Sequence, residues 1–180
     1  KALKEISGKP IILHMIEKFK EVGVSQIIVV TGNCSEQLEA VLQEEKGVTA
    51  IKNEHFAHSD MFASAKLGMK AIKGKCERFF FTPVDSPAFS TQTLEALLEM
   101  NEEVVKPVYK GRGGHPLLLQ EALIENLLAY NGENGMKGAL KVHPFIAILV
   151  HDEGITFNTN TPEEFEKMRL YMEDRAYIKG

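Results

Sequence analysis

Residues 78–87 read Arg78-Phe79-Phe80-Phe81-Thr82-Pro83-Val84-Asp85-Ser86-Pro87. An apolar run of this length suits a short buried strand, and the Asp-Ser-Pro that follows breaks it. The pattern predicts a strand over 78–84 with Asp85 directly at its end. Two runs of the same kind lie upstream: residues 26–30 (QIIVV), closed by Thr31-Gly32-Asn33, and residues 48–51, closed at Asn53. Helical spacing fills the gaps between them. Leu38, Val41 and Leu42 follow an expected N-cap at Ser35, and Phe62, Ala65, Leu67, Met69 and Ile72 follow one at Asp60. Before the first strand, Ile11, Ile12, Met15, Ile16 and Phe19 recur behind Pro10 and stop at Gly23; after the third, Leu94, Leu97 and Leu98 mark a helix over about 91–100. Regular alternation of helix and strand requires a parallel sheet with helices on its faces.

Beyond residue 102 the rhythm changes. Strands at 104–109 and 116–119 flank Lys110-Gly111-Arg112-Gly113-Gly114, a hairpin tip or a long crossing loop. Helices near 121–130 and 135–143, strands at 145–150 and near 155–157, and a last helix from Pro162 complete the pattern. Residues 1–180 are expected to form a single domain, a three-layer α/β/α fold with a mostly parallel sheet. The Tyr and Phe positions read as core.

Composition narrows the function. The net charge is −4 and no basic block occurs, so the chain lacks the electrostatic footprint of a nucleic-acid binder and of a protein docked on an anionic membrane. Cys34 and Cys76 are too few and too far apart for a disulfide framework or a zinc motif. No apolar stretch approaches the ~20 residues that span a bilayer, and no signal-peptide pattern is visible. A cytoplasmic location is expected.

In an open parallel sheet, ligands bind beyond the carboxyl ends of the strands. A carboxylate placed there, as Asp85 is, suits Mg²⁺, which takes one or two oxygens from protein and the rest from phosphate and water. Asp85 as a simple turn or helix cap is the competing reading. In Gly111-Arg112-Gly113-Gly114-His115-Pro116, three glycines permit close backbone approach and Arg112 and His115 suit phosphate; a solvated hairpin tip explains the same residues. Thr161 and Glu164 around Pro162 form a capping box, with Asn160 beside it as a neutral oxygen donor. Lys137 stands near a helix start, where a cation is mildly unfavourable unless an anion accompanies it.

These short motifs, in this order, resemble the molybdenum cofactor guanylyl- and cytidylyltransferases, the MobA-like branch of the GT-A nucleotidyltransferases. Ser7-Gly8-Lys9-Pro10-Ile11-Ile12 is similar to that family's "GGKPLI". Asn53 with Asp60-Met61-Phe62-Ala63-Ser64, Pro83-Val84-Asp85-Ser86-Pro87, Gly114-His115-Pro116 and Asn160-Thr161-Pro162-Glu163-Glu164 match further family motifs.

The resemblance implies a nucleotidyltransferase that uses Mg²⁺, with Mn²⁺ as an alternative. It would join the monophosphate of CTP or GTP, CTP preferred, to a phosphorylated small-molecule acceptor, with molybdopterin first in line. Sugar phosphate, methylerythritol phosphate and phosphocholine are alternative acceptors, and a non-catalytic nucleotide-binding module is the alternative of another class. The resemblance gives Asp85 and Asn160 the metal, Lys1 and Asp85 the catalytic roles, and Lys1, Thr31, Gly32, Ser64 and Pro83 the nucleotide. Gly113, Gly114, His115 and Lys137 would face the acceptor. The family opens with a strand and a glycine-rich phosphate loop, of which only the final lysine corresponds here, to Lys1. Residues upstream of Lys1 are therefore expected, as is room for a fused or partner domain. Asp60 and Asn158 stand where the family usually has glycine and an acidic residue.

Overall fold

The structure, a computed structural model, describes residues 1–179, with side chains described for residues 1–175. The chain forms two compact units: residues 1–24, 80–118 and 145–180 in the first, and residues 25–79 and 119–144 in the second.

The second unit is built on a parallel pair, β3 (Ile27–Thr31) and β4 (Val48–Lys52), in register from Ile27 opposite Val48 to Thr31 opposite Lys52. Both strands run one residue further than the β-branched pattern suggested. Helix α2 (Ser35–Leu42) makes the crossover; its cap is Cys34 in the left-handed region, and Ser35, the expected cap, is the first helical residue. Helix α3 (Met61–Ile72) begins as anticipated, with the Asp60 carboxylate accepting from Ala63 N at 2.7 Å. A Cβ on Gly68 of α3 would meet Val30 Cγ2 at 3.4 Å, so the absent side chain lets the helix lie close on β3. Helices α5 (Ile124–Ala129) and α6 (Gly135–Leu140) pack beside α3, with the Phe62 and Tyr130 rings edge to face at 6.2 Å and Lys66 Nζ donating to Tyr130 O at 2.5 Å.

The first unit opens with a hairpin that the periodicity did not reveal. Strands β1 (Glu5–Ile6) and β2 (Lys9–Pro10) pair antiparallel about Ser7 and Gly8, both at positive φ, as a tight two-residue turn requires. Helix α1 (Ile11–Glu21) follows and buries Ile11, Ile12, Met15, Ile16 and Phe19, the face read from sequence. Phe19 meets Phe80 and Phe89 at ring distances of 5.4 and 5.3 Å. Helix α4 (Thr91–Leu98) is capped by Ser90, whose Oγ accepts from Thr93 N at 3.2 Å.

A five-stranded sheet runs in the order β5 (Arg78–Phe81), β8 (Leu117–Gln120), β6 (Val104–Tyr109), β7 (Arg112–Gly113), with β9 (Ile146–Leu149) alongside β6. The β6–β9 pairing is parallel and the β6–β7 hairpin antiparallel. Leu97, Val105 and Leu118 form the sheet's buried cluster, with Phe80, Ile146 and Ile148 against it.

Three further expectations fail. The third strand ends at Phe81, because Thr82-Pro83 follows and proline has no N–H to give a ladder. Residues 155–157 are not a strand: Glu153–Thr156 is a 3₁₀ turn, started by Asp152 accepting from Gly154 N at 3.1 Å. Aromatics are not uniformly core, since Phe56 and Phe145 are exposed.

The last helix, α7 (Pro162–Lys179), starts as the capping box dictates. Thr161 Oγ1 accepts from Glu164 N at 3.1 Å, and Glu164 accepts from the backbone of Asn160 and Thr161. It is bound to the rest of the first unit through Asp152, a buried carboxylate. Asp152 Oδ2 accepts from Ser90 N and Thr93 Oγ1, both at 2.7 Å; Oδ1 accepts from Gly154 N at 3.1 Å, Tyr171 OH at 3.1 Å and Arg175 Nη1 at 2.6 Å. Burial pushes this carboxyl's pKa up, but the hydrogen bonds from Thr93 and Ser90 and the Arg175 charge outweigh it, and the pKa lies below the ordinary value. A carboxyl so depressed contributes its full stabilisation above its unfolded pKa of about 3.9 and loses it as pH falls through the lower folded value. Asp152→Asn is expected to lower stability near neutral pH by on the order of 2–3 kcal/mol. That deficit relative to wild type should shrink as pH drops below about 4, and urea unfolding curves over a pH series will show it.

Candidate active site

Asp85 lies in the loop that follows β5, past the turn in which Ser86 N donates to Pro83 O at 3.2 Å. It caps no helix, because Ser90 takes that part for α4. Its side chain stays one-quarter exposed. Lys1 Nζ approaches Asp85 Oδ2 at 3.4 Å and donates to Asn160 Oδ1 at 2.7 Å. Two oxygens from residues far apart in sequence therefore converge on one cation. Behind them, Ser86 Oγ donates to Asn158 Oδ1 at 3.1 Å, joining the two loops directly.

This arrangement tests whether the residues suit a divalent metal. The ammonium is a stand-in cation, and its neighbours are a carboxylate oxygen and an amide oxygen, hard donors of the kind Mg²⁺ and Mn²⁺ accept. Two protein oxygens leave most of the coordination sphere to phosphate and water, the usual situation for a metal that bridges a nucleotide. The donor set fits.

His115 belongs to the same unit but is not a solvated loop tip. Its ring stands edge-on to Phe81 at 5.9 Å, its backbone N–H donates to Ile155 O at 3.3 Å, and its Nδ1 is buried without a partner in the structure. Burial drives its pKa below the usual value, against the opposing pull of the Phe81 backbone hydrogen bond and the Asp85 charge. Burial thus favours the neutral imidazole, which can donate or accept a hydrogen bond.

The neighbouring glycines differ in purpose. A Cβ on Gly114 would fall 2.0 Å from Ile155 O, so this glycine lets the chain pass its own 3₁₀ turn. A Cβ on Gly113, exposed in β7, would meet nothing nearer than Pro107 O at 4.0 Å.

In the second unit, Asn53 is buried and organises a polar cluster that the sequence only hinted at. Its Nδ2 donates to Ser59 Oγ and Ser64 Oγ, both at 2.9 Å, while its Oδ1 accepts from His55 N at 3.0 Å. Asn53 N donates to Thr31 O at 2.8 Å, placing Ser64 and the end of β3 in one cluster. Thr31 is buried and reaches Glu39 through Oγ1 at 3.4 Å; Gly32 lacks a Cβ where one would press on Phe56 at 2.8 Å. Lys137 is exposed on α6. Asp152, which links the Asp85 loop to α7, was missed altogether, although it follows a strand just as Asp85 does.

With this geometry established, the chain's family is clear: residues 1–147 match the MobA-like NTP transferase domain, and the chain belongs to that family. Among solved structures it is similar to a nucleotidyl transferase from Methanothermobacter thermautotroptrophicus, with a TM-score of 0.81 at 19% identity over 97% of this chain and 86% of that one. A manganese complex of Rv0371C from Mycobacterium tuberculosis H37Rv gives a TM-score of 0.77 at 16% identity over 94% and 91% of the two chains. The fold is therefore the GT-A-like fold of nucleotidyltransferases. By sequence, the choline-phosphate cytidylyltransferase of Streptococcus pneumoniae is 37% identical over 67 residues, 37% of this chain and 29% of that protein. The bifunctional protein GlmU of an Exiguobacterium species is 30% identical over 104 residues, 57% of this chain and 22% of GlmU. Each match spans less than a third of the relative's length. No helix among the described residues is long and apolar enough to cross a membrane.

The contrast between the two glycines is testable. Gly114→Ala is expected to destabilise by about 1–3 kcal/mol through backbone overpacking, whereas Gly113→Ala should cost less than about 1 kcal/mol. Chemical denaturation of the two variants beside wild type measures the difference.

Proposed function

We propose that this chain is a divalent-metal-dependent nucleotidyltransferase that transfers a nucleoside monophosphate, CMP in preference to GMP, from an NTP to a phosphorylated small molecule. The observation that carries this reading is the convergence of Asp85 and Asn160 oxygens on a single cation, in a chain of the MobA-like family. An acceptor phosphate oxygen attacks the α-phosphorus, the new O–Pα bond forms as the bond to the bridging β-oxygen breaks, and pyrophosphate leaves. A divalent metal, when bound, supplies charge neutralisation on the triphosphate. Asp85 and Asn160 would hold it, with Mg²⁺ the expected ion and Mn²⁺ an alternative.

Lys1, released from Asp85 and Asn160 when a nucleotide arrives, would turn its ammonium to the phosphates. Pro83 would border the nucleotide from the same loop as Asp85. Thr31, Gly32 and Ser64 would supply nucleoside contacts, with Asn53 holding the Ser64 hydroxyl in place. Gly113, Gly114 and His115 would serve the acceptor, His115 as a neutral hydrogen-bonding group, and Lys137 would add a charge for the acceptor's phosphate. Molybdopterin is the first acceptor to test. Phosphocholine, methylerythritol phosphate and sugar phosphates follow, the first because a relative of this chain is named a choline-phosphate cytidylyltransferase.

Pyrophosphate release across a matrix of the four NTPs and these acceptors, with Mg²⁺ or Mn²⁺, tests the reading and identifies the pair. In the productive pair, Asp85→Asn is expected to reduce turnover by at least about a hundredfold. Normal turnover in that variant would refute the assigned metal role. Nucleotide binding with no release in any combination would instead make the chain a non-catalytic module.

A further inference from the structure

Lys1, Asp85 and Asn160 meet across a long separation in sequence, and the hydrogen bonds that bring them together are few and partly exposed. The rigid connection lies behind them. Asp152 accepts five hydrogen bonds from three directions: Ser90 and Thr93, which begin α4 at the end of the Asp85 loop; Gly154, in the turn that leads to Asn158 and Asn160; and Tyr171 and Arg175 on α7, the helix that starts two residues after Asn160. The arms are themselves braced. Tyr171 OH receives a bond from Arg175 Nη1 at 2.7 Å, and its ring packs on Phe157 at 4.8 Å, immediately before Asn158. Helix α7 also supports the segment bearing Lys1, because Lys4 Nζ sits 4.2 Å above the Phe165 ring and Lys4 N donates to Lys1 O at 2.9 Å.

We propose that Asp152, with Tyr171 and Arg175 as its arms, is the positioning residue of the cation site, fixing the Asp85 loop and the Asn160 turn in one frame. This rests on the reading of Asp85 and Asn160 as metal ligands. Asp152 touches no reacting group. It acts because a buried carboxylate must have its lone pairs filled, and filling them requires α4, the 153–156 turn and α7 to keep one mutual arrangement. Ser86 and Asn158 then meet, and the two ligand oxygens lie on one cation. Loss of the carboxylate would leave both ligands in the chain but let the loops that carry them drift, and misplaced ligands weaken metal binding without being removed.

The test is Mn²⁺ binding to the whole chain, followed by the loss of the free-ion EPR signal, at a temperature where circular dichroism shows every variant folded. Asp85→Asn is expected to abolish binding. Asp152→Asn and Arg175→Met should each weaken it by about tenfold, the lower end for groups acting behind a metal ligand. Arg175→Lys, which keeps the charge, should bring affinity back to within about threefold of wild type. If Asp152→Asn does not fold, Thr93→Val and Arg175→Met, each removing one donor, take its place. Wild-type Mn²⁺ affinity in folded Asp152→Asn, or in both substitutes, together with lost affinity in Asp85→Asn, overturns this inference while leaving the metal site standing. An Asp85→Asn protein that binds Mn²⁺ as wild type does overturns the metal site and the inference with it.

Discussion

A carboxylate taken out of water must find a donor for nearly every lone pair, or the burial costs more than the fold can spare. In the first unit that requirement falls on Asp152, and it is met by donors from three separated segments. Because the donors are backbone N–H groups, hydroxyls and a guanidinium of fixed geometry, they admit little alternative arrangement. The start of α4, the 153–156 turn and α7 are thereby locked to a single point. The loops that lead from this point carry Asp85 on one side and Asn160 on the other.

The polar cluster in the second unit follows the same logic with uncharged groups. Asn53 is buried at the end of β4 and spends its amide on two serine hydroxyls and a backbone N–H. An amide has donors and an acceptor fixed in one plane, so it orients what it touches. Ser64, in the first turn of α3, is thereby held toward the carboxyl end of the parallel pair rather than left to rotate. In both units the residues with candidate chemical roles are held by others whose work is to saturate a buried polar group.

His115 shows how local sequence misleads about charge. After two glycines, three residues beyond an arginine and before a proline, it reads as part of a solvated or phosphate-binding tip. In the fold its ring faces Phe81 and its Nδ1 is shut away from water, so the protonated form is disfavoured. The change comes from burial in the folded chain, and nothing adjacent to His115 foretells it. Gly114 is similar: the glycine-rich pattern suggested space for a ligand, while the space is taken by the backbone of Ile155.

What the sequence alone determined were the features enforced by near neighbours. The apolar face of α1, the parallel strand runs at Ile27–Thr31 and Val48–Lys52, the Asp60 cap and the Thr161–Glu164 box each depend on residues a few positions apart. Spacing therefore reveals them directly. The truncation of the third strand is legible in Pro83, whose missing N–H ends the ladder that the apolar run begins. Tertiary structure alone decided the 3₁₀ turn in place of a strand at 153–156, the convergence of Lys1, Asp85 and Asn160, and the role of Asp152. Each of these is set by where a polar group finds partners after the chain has closed, and a hydrogen bond between distant residues leaves no periodic trace in the order of the amino acids.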